Sequence, residues 1–180
     1  PESFAEDKLS WDKNRPLTWD DFQGEPDYSD DWATNSSQTL MNASWSFKKS
    51  GSGCNYKFTE VDATASFLKD ESWAKESAKG DRLSLQYHQV IFNILEVHAQ
   101  KFENELLNNT FPCPDGGYDV DKIHEKTNEF VAKIIEEEND MEALYVSESD
   151  TGWNSMKHFE WNKKIRSLLG FKEEPVSKEP

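Results

Sequence analysis

Residues 81–107 constrain the fold more than any other stretch, because they form the longest unbroken helical pattern in the chain. Leu83, Tyr87, Ile91, Ile94, His98, Phe102 and Glu105/Leu106 recur every three or four residues, which lays one apolar stripe along a helix of about seven turns. Asp81 follows Gly80, and a carboxylate there can accept amide hydrogens of the first turn, so the helix is predicted to start at Asp81. A stripe of that length needs a cover. The segment is expected to be a central helix buried under a sheet.

The strands lie before it. Residues 37–48 alternate in part, with Leu40, Trp45 and Phe47 as inward positions, and the Gly/Ser-rich 50–53 reverse the chain. A second strand is expected to begin near Tyr56 and Phe58, break, and resume over 61–67 with Val61, Ala63, Ala65 and Phe67 facing in. Beyond the central helix, 109–118 read as a Pro/Gly loop. A helix follows over 119–143, with Val120, Ile123, Thr127, Phe130/Val131, Ile134 and Ile135 as its stripe and a hydrated acidic face at 136–140. A last helix over 153–169 is expected to bury Trp161, Ile165 and Leu168 and to end at Gly170. The predicted class is α+β, an antiparallel sheet packed on a long central helix with further C-terminal helices. One domain is expected over 17–170, between a flexible lead-in at 1–16 and a mobile tail at 171–180.

Composition narrows the partners. A net charge of −15 argues against nucleic acid and anionic membrane surfaces, and without a run of about 20 apolar residues nothing is expected to span a membrane. The acidic turn at 24–31 lacks EF-hand spacing and reads as a solvated loop. Asn35, Asn42 and Asn108 each head a glycosylation tripeptide. Nothing in the pattern sets an oligomeric state.

Five short motifs carry a family resemblance. They are Leu17-Thr18-Trp19-Asp20-Asp21-Phe22-Gln23-Gly24, Ser72-Trp73, Phe92-Asn93-Ile94-Leu95-Glu96-Val97-His98-Ala99, Ser149-Asp150-Thr151-Gly152 and Trp161-Asn162. In order and spacing the chain resembles the secreted zinc-protease-like family called domain of unknown function 922. That family runs from L-T-W-D-D-F-x-G through S-W to a helix near H-E-Q-G-H-F-D-I-A-E-x-H-A, then T-D-H-G and W-N. The resemblance implies a zincin-like domain, export from the cell, and a zinc site on the central helix.

The departures fall on the zinc site itself. With 92–99 in register, the H-E-x-x-H positions are occupied by Tyr87-His88-Gln89-Val90-Ile91, and the histidine of T-D-H-G is Thr151. Such a site needs two imidazoles at i and i+4 converging on the metal, with a glutamate to take a proton from its bound water. Isoleucine has no lone pair, and a tyrosine is a poor neutral-pH ligand. His88 and His98 cannot share a metal, since ten residues separate them by about 15 Å along a helix axis. A one-residue slip puts Gln89 and Phe92 on the remaining positions and makes no site either. Simpler readings stand beside these: His98 as a hydrogen-bonded core residue, His88 as a partly exposed polar one, Tyr87 and Ile91 as packing.

The implied function is a metalloprotease-like domain with a dismantled site, no catalytic residue, and no metal or cofactor. Its remnant cleft would bind a peptide or protein, with Glu96, His98 and Asp150 as cleft candidates. The alternatives are a zinc-dependent hydrolase using unpaired ligands such as His124 and His158, and a structural cell-envelope domain. Two cysteines fit one disulfide or two thiols equally by count. The resemblance to an exported family favours a Cys54–Cys113 bond and a secreted or periplasmic location.

Overall fold

The computed structural model describes residues 7–29, 33–51 and 53–172. Its strands are Lys8–Ser10 (β1), Asn35–Ser36 (β2), Thr39–Ser50 (β3), Asn55–Leu68 (β4), Trp73–Ala74 (β5) and Phe111–Pro112 (β6), and its helices are Arg82–Leu107 (α1), Val120–Ser149 (α2) and Ser155–Leu168 (α3). The main sheet has the order β1-β4-β3, with β6 also paired to β4, while β2 and β5 form a separate ribbon. Every pairing is antiparallel, so the class is α+β as expected. Among the described residues no helix is long and apolar enough to cross a membrane.

β4 is one continuous strand where the sequence suggested a break. Ser46 pairs with Glu60 and Phe47 with Phe58, which leaves Thr59 as an extra residue. That bulge shifts the inward parity from Tyr56 and Phe58 to Val61, Ala63, Ala65 and Phe67, all buried, without interrupting the pairing. On β3 the residues packed against the core are Met41, Ala43, Trp45 and Phe47. Leu40 has the opposite parity, so its expected inward position is corrected to the other face.

α1 starts as expected, with the Asp81 carboxylate accepting from the Leu83 amide. Leu83 is 45% exposed, so the buried part begins only one turn later. From there burial is almost all round. Phe92, Leu95, Ala99, Phe102 and Leu106 pack under the sheet, while Val90, Ile91 and Ile94 meet Tyr145 of α2 and Trp161 and Ile165 of α3. α2 continues past 143 because Tyr145 and Ser149 remain in phase with Ile134 and are fully buried. It ends where Asp150, Thr151 and Gly152 turn to positive φ. On α3, Leu168 is 56% exposed and Leu169 is the buried residue, a one-position correction.

Residues 1–6 and 173–180 lie outside the described residues, but part of the expected lead-in is hydrogen-bonded into the domain. β1 pairs with the end of β4, the Trp11 amide donates to Ala65 O, and Trp11 Nε1 donates to Asn93 Oδ1. Phe171 then closes edge-on over Trp11. The physical reason is that β4 would otherwise expose a second edge.

Cys54 and Cys113 are bonded with Cα atoms 5.3 Å apart, across a separation of 59 residues. The bond ties the β3–β4 turn to β6, beside the Cys113 N–H to Cys54 O hydrogen bond. In the chain-entropy account, a loop of that size stabilises the fold by about 4 kcal/mol. Reduction, or Cys54→Ala with Cys113→Ala, should therefore lower the urea unfolding free energy by up to that amount. An unchanged midpoint in reductant would mean that the bond constrains nothing.

Candidate functional site

A cleft of about 700 Å³ opens along the free edge of β3. Its floor is Tyr87, His88, Ile91 and Leu95 of α1, one wall is the extended chain 35–41, and the other wall is α2 at Ile135, Glu138, Asn139 and Glu142. An adjoining pocket shares Asn35, Tyr87 and His88 and ends at Thr151, Gly152 and Trp153. The fold thus places Tyr87, His88 and Ile91 on the floor of the cleft, with Tyr87 and Ile91 one helical turn apart, and Thr151 in the adjoining pocket.

The strand wall presents backbone to the cleft. Among the described residues β3 pairs only with β4, and the Leu68 N–H donates to Gln38 O. Alternation from that pair directs the N–H and C=O groups of Thr39, Met41 and Ala43 toward the unpaired edge. The wall is anchored from behind. Ser72, fully buried, accepts the Gln38 N–H on its Oγ at 2.9 Å. Its own carbonyl accepts the Gly24 N–H at 2.8 Å. A Cβ at Gly24 would lie 2.6 Å from Asp70 O, so only glycine fits that approach.

His88 stitches floor to wall. It is 4% exposed, against the expectation of a partly exposed polar residue. Its Nε2 lies 2.6 Å from Asn35 Oδ1 and its Nδ1 2.7 Å from Ser37 Oγ. The amide nitrogen of Asn35 donates to Ser84 Oγ, so Oδ1 accepts from a protonated Nε2 and Ser37 donates to Nδ1. Burial pushes the imidazole down to about 4, which keeps it neutral. Phe22, from the opening motif, stands against its ring at 5.2 Å.

Tyr87 is fixed by its neighbours. Its ring stacks on Tyr145 at 5.5 Å, and a Cβ on Gly152, at φ +94°, would come within 3.2 Å of it. Burial, then the charge of Glu142, raises its phenol above the ordinary range.

Sequence reasoning missed the acidic pair. Glu138 falls in the segment expected to be hydrated, yet it is 6% exposed. The available signal was phase: Glu138 follows Ile134 by four residues and precedes Tyr145 by seven, on the buried stripe, whereas Glu136, Glu137 and Asp140 are off it. Burial and the adjacent Glu142 push Glu138 up to about 7, and burial raises Glu142 as well. The ion pairs among the described residues include neither.

The expected cleft candidates are elsewhere. Glu96 accepts the Ala65 N–H at 2.9 Å beside β1, and His98 Nδ1 donates to Ile94 O at 2.8 Å in the helix interior. Asp150 is exposed on the turn after α2. Glu96 projects from the opposite side of α1 to Tyr87, whereas His98 lies on the side of Tyr87 and Ile91 but two turns further along the axis than Ile91. His124 accepts from Trp45 Nε1, and buried His158 sits against the Tyr145 hydroxyl with its Nε2 unbonded. Among the described residues no group of three or more His, Cys, Asp or Glu side chains could hold a metal ion. No family model, no curated protein and no solved structure matches the chain.

The titrations oppose each other. Glu138, raised from 4.5 to about 7, stabilises the fold fully below pH 4.5, and this is lost as pH rises through 7. His88, lowered from 6.5 to about 4, contributes fully above 6.5, and this is lost as pH falls through 4. Glu138→Gln removes the first contribution, together with its coupling to Glu142, and leaves that of His88. Its stability relative to the parent should rise between about pH 5 and pH 8, by at most about 3 kcal/mol. A pH-independent difference in urea titrations would show that Glu138 is charged in the fold at both ends of the range.

Proposed function

We propose that this chain is a non-hydrolytic peptide-binding domain, descended from a zincin-like metalloprotease and working outside the cell. The observation that carries this reading is the cleft alongside the β3 edge, where backbone groups of Thr39, Met41 and Ala43 can pair with an extended peptide. The Cys54–Cys113 bond is compatible with an extracellular location.

The cleft residues do not fit a zinc site. Ile91 offers no donor atom, the Tyr87 phenol is raised rather than lowered, and both His88 nitrogens are engaged by Ser37 and Asn35. The Thr151 hydroxyl donates to Asp150 O at 2.8 Å. No step of the proposed function runs through a metal.

Thr39→Pro tests the binding mode. Proline there removes an N–H directed at the free edge and leaves the β3–β4 pairing intact. Capture of peptides from an unstructured synthetic library should drop by about tenfold or more with little change in melting temperature. Mass spectrometry should find the captured peptides uncut. Specific cleavage by the parent would overturn the non-hydrolytic assignment, and undiminished capture by the variant would overturn strand addition.

The ancestry is tested separately. Tyr87→His with Ile91→His puts two imidazoles one turn apart on the cleft floor while His88 keeps its network. Calorimetric titration should then detect zinc binding that the parent lacks, weak because partners to orient the new ligands are missing. The same pair at Gln89 and Asn93, which bond Leu17 N and Trp11 Nε1, should add none. Equal behaviour of the two variants would remove the support for a lost metal site.

A further inference from the structure

We propose that the cleft selects its peptide by a lysine or arginine side chain seated between Glu138 and Glu142. The inference rests on the peptide-binding reading and names what that site recognises. Glu138 lines the cleft wall although 6% of it is exposed, and Glu142 lies one turn further along the same face. Burying a carboxyl away from a counter-charge is costly, yet among the described residues Glu138 has no cation within ion-pair distance and is hydrogen-bonded to Glu142, a second acid.

Among the described residues lining the cleft, the pair is the only source of formal charge. The wall 35–41 is Asn-Ser-Ser-Gln-Thr-Leu-Met, without an ionisable group. From α1 the titratable groups that face the pair are Tyr87, whose phenol stays protonated, and His88, which stays neutral. A ligand cation therefore meets negative charge and neutral dipoles. Two carboxylates at i and i+4 match the fork of a guanidinium or two donors of an ammonium. Alone, the carboxyls share a proton; a bound cation displaces it, so binding releases a proton and strengthens as pH rises. The backbone edge would supply sequence-tolerant affinity and the acidic pair the selection.

Fluorescence anisotropy with short labelled alanine–threonine peptides carrying one central arginine, lysine, citrulline or norleucine tests this. Arginine and lysine peptides should bind the parent at least about tenfold more tightly than citrulline and norleucine peptides at about pH 8, with a smaller gap at about pH 6. Glu138→Gln with Glu142→Gln should bring all four to one affinity, and Glu142→Gln alone should narrow the gap if the double variant is unfolded by circular dichroism. The arginine–citrulline comparison needs no variant, since the two differ in charge at nearly constant shape. Equal binding of the four peptides by the parent would overturn the selection and leave peptide binding standing. Failure of every peptide to bind would overturn both.

Discussion

A helix buried on nearly every side must satisfy its polar side chains inside the protein, and α1 does so with segments remote in sequence. Gln89 accepts the Leu17 N–H, Asn93 accepts from Trp11 Nε1, Glu96 accepts the Ala65 N–H, and His88 bonds Asn35 and Ser37. Each bond is worth only about 1 kcal/mol net, but leaving one unmade costs about 1–3 kcal/mol. The penalty fixes where the N-terminal segment, β4 and the chain before β3 can lie. Apolar packing under the sheet sets how close these elements come; the polar residues of α1 set their register.

The same requirement makes His88 a structural side chain. A catalytic base must keep a lone pair open to the substrate and titrate near the working pH. His88 has both nitrogens committed and is held neutral by burial, with Phe22 and Trp19 against its ring. It contributes a firm joint between the cleft floor and the strand wall. Firmness there favours binding, because a wall already extended loses little conformational entropy when a peptide pairs with it.

Features set by local chemistry were legible in the sequence. The Asp81 cap, the period of α1 and the alternation over 61–67 all match the fold. Features set by three-dimensional surroundings were not. The bulge at Thr59 reads in sequence as a broken strand, because a parity slip and a chain reversal look alike until a partner strand is present. Leu40 was placed inward by hydrophobicity, which cannot see parity. Glu138 was assigned to solvent with its acidic neighbours, although its phase put it on the buried stripe. Gln89 and Asn93 gave no signal, since polar residues on a helix surrounded by protein look like those of a solvated face. Tyr87, His88 and Ile91, singled out in the sequence, line the floor of the cleft, while its α2 wall was not singled out.

An open strand edge is a hazard for a protein, and the way this one is guarded bears on what can reach it. Edges recruit other edges unless shortened, charged or covered. The far end of β3 carries Lys48 and Lys49, both exposed, and the opposite edge of β4 is covered by β1 and β6. The near end of β3 stays unpaired but faces α2 across the cleft, so a second sheet meets a helix before it can align, while a single extended chain can slide between. An acidic pair on that helix adds a further filter, since another copy of this chain, with its net charge of −15, is repelled where a basic segment is attracted. Steric access and charge thus act on the same few residues of edge, and on the proposed reading they would convert a liability of the sheet into a site for one class of chain.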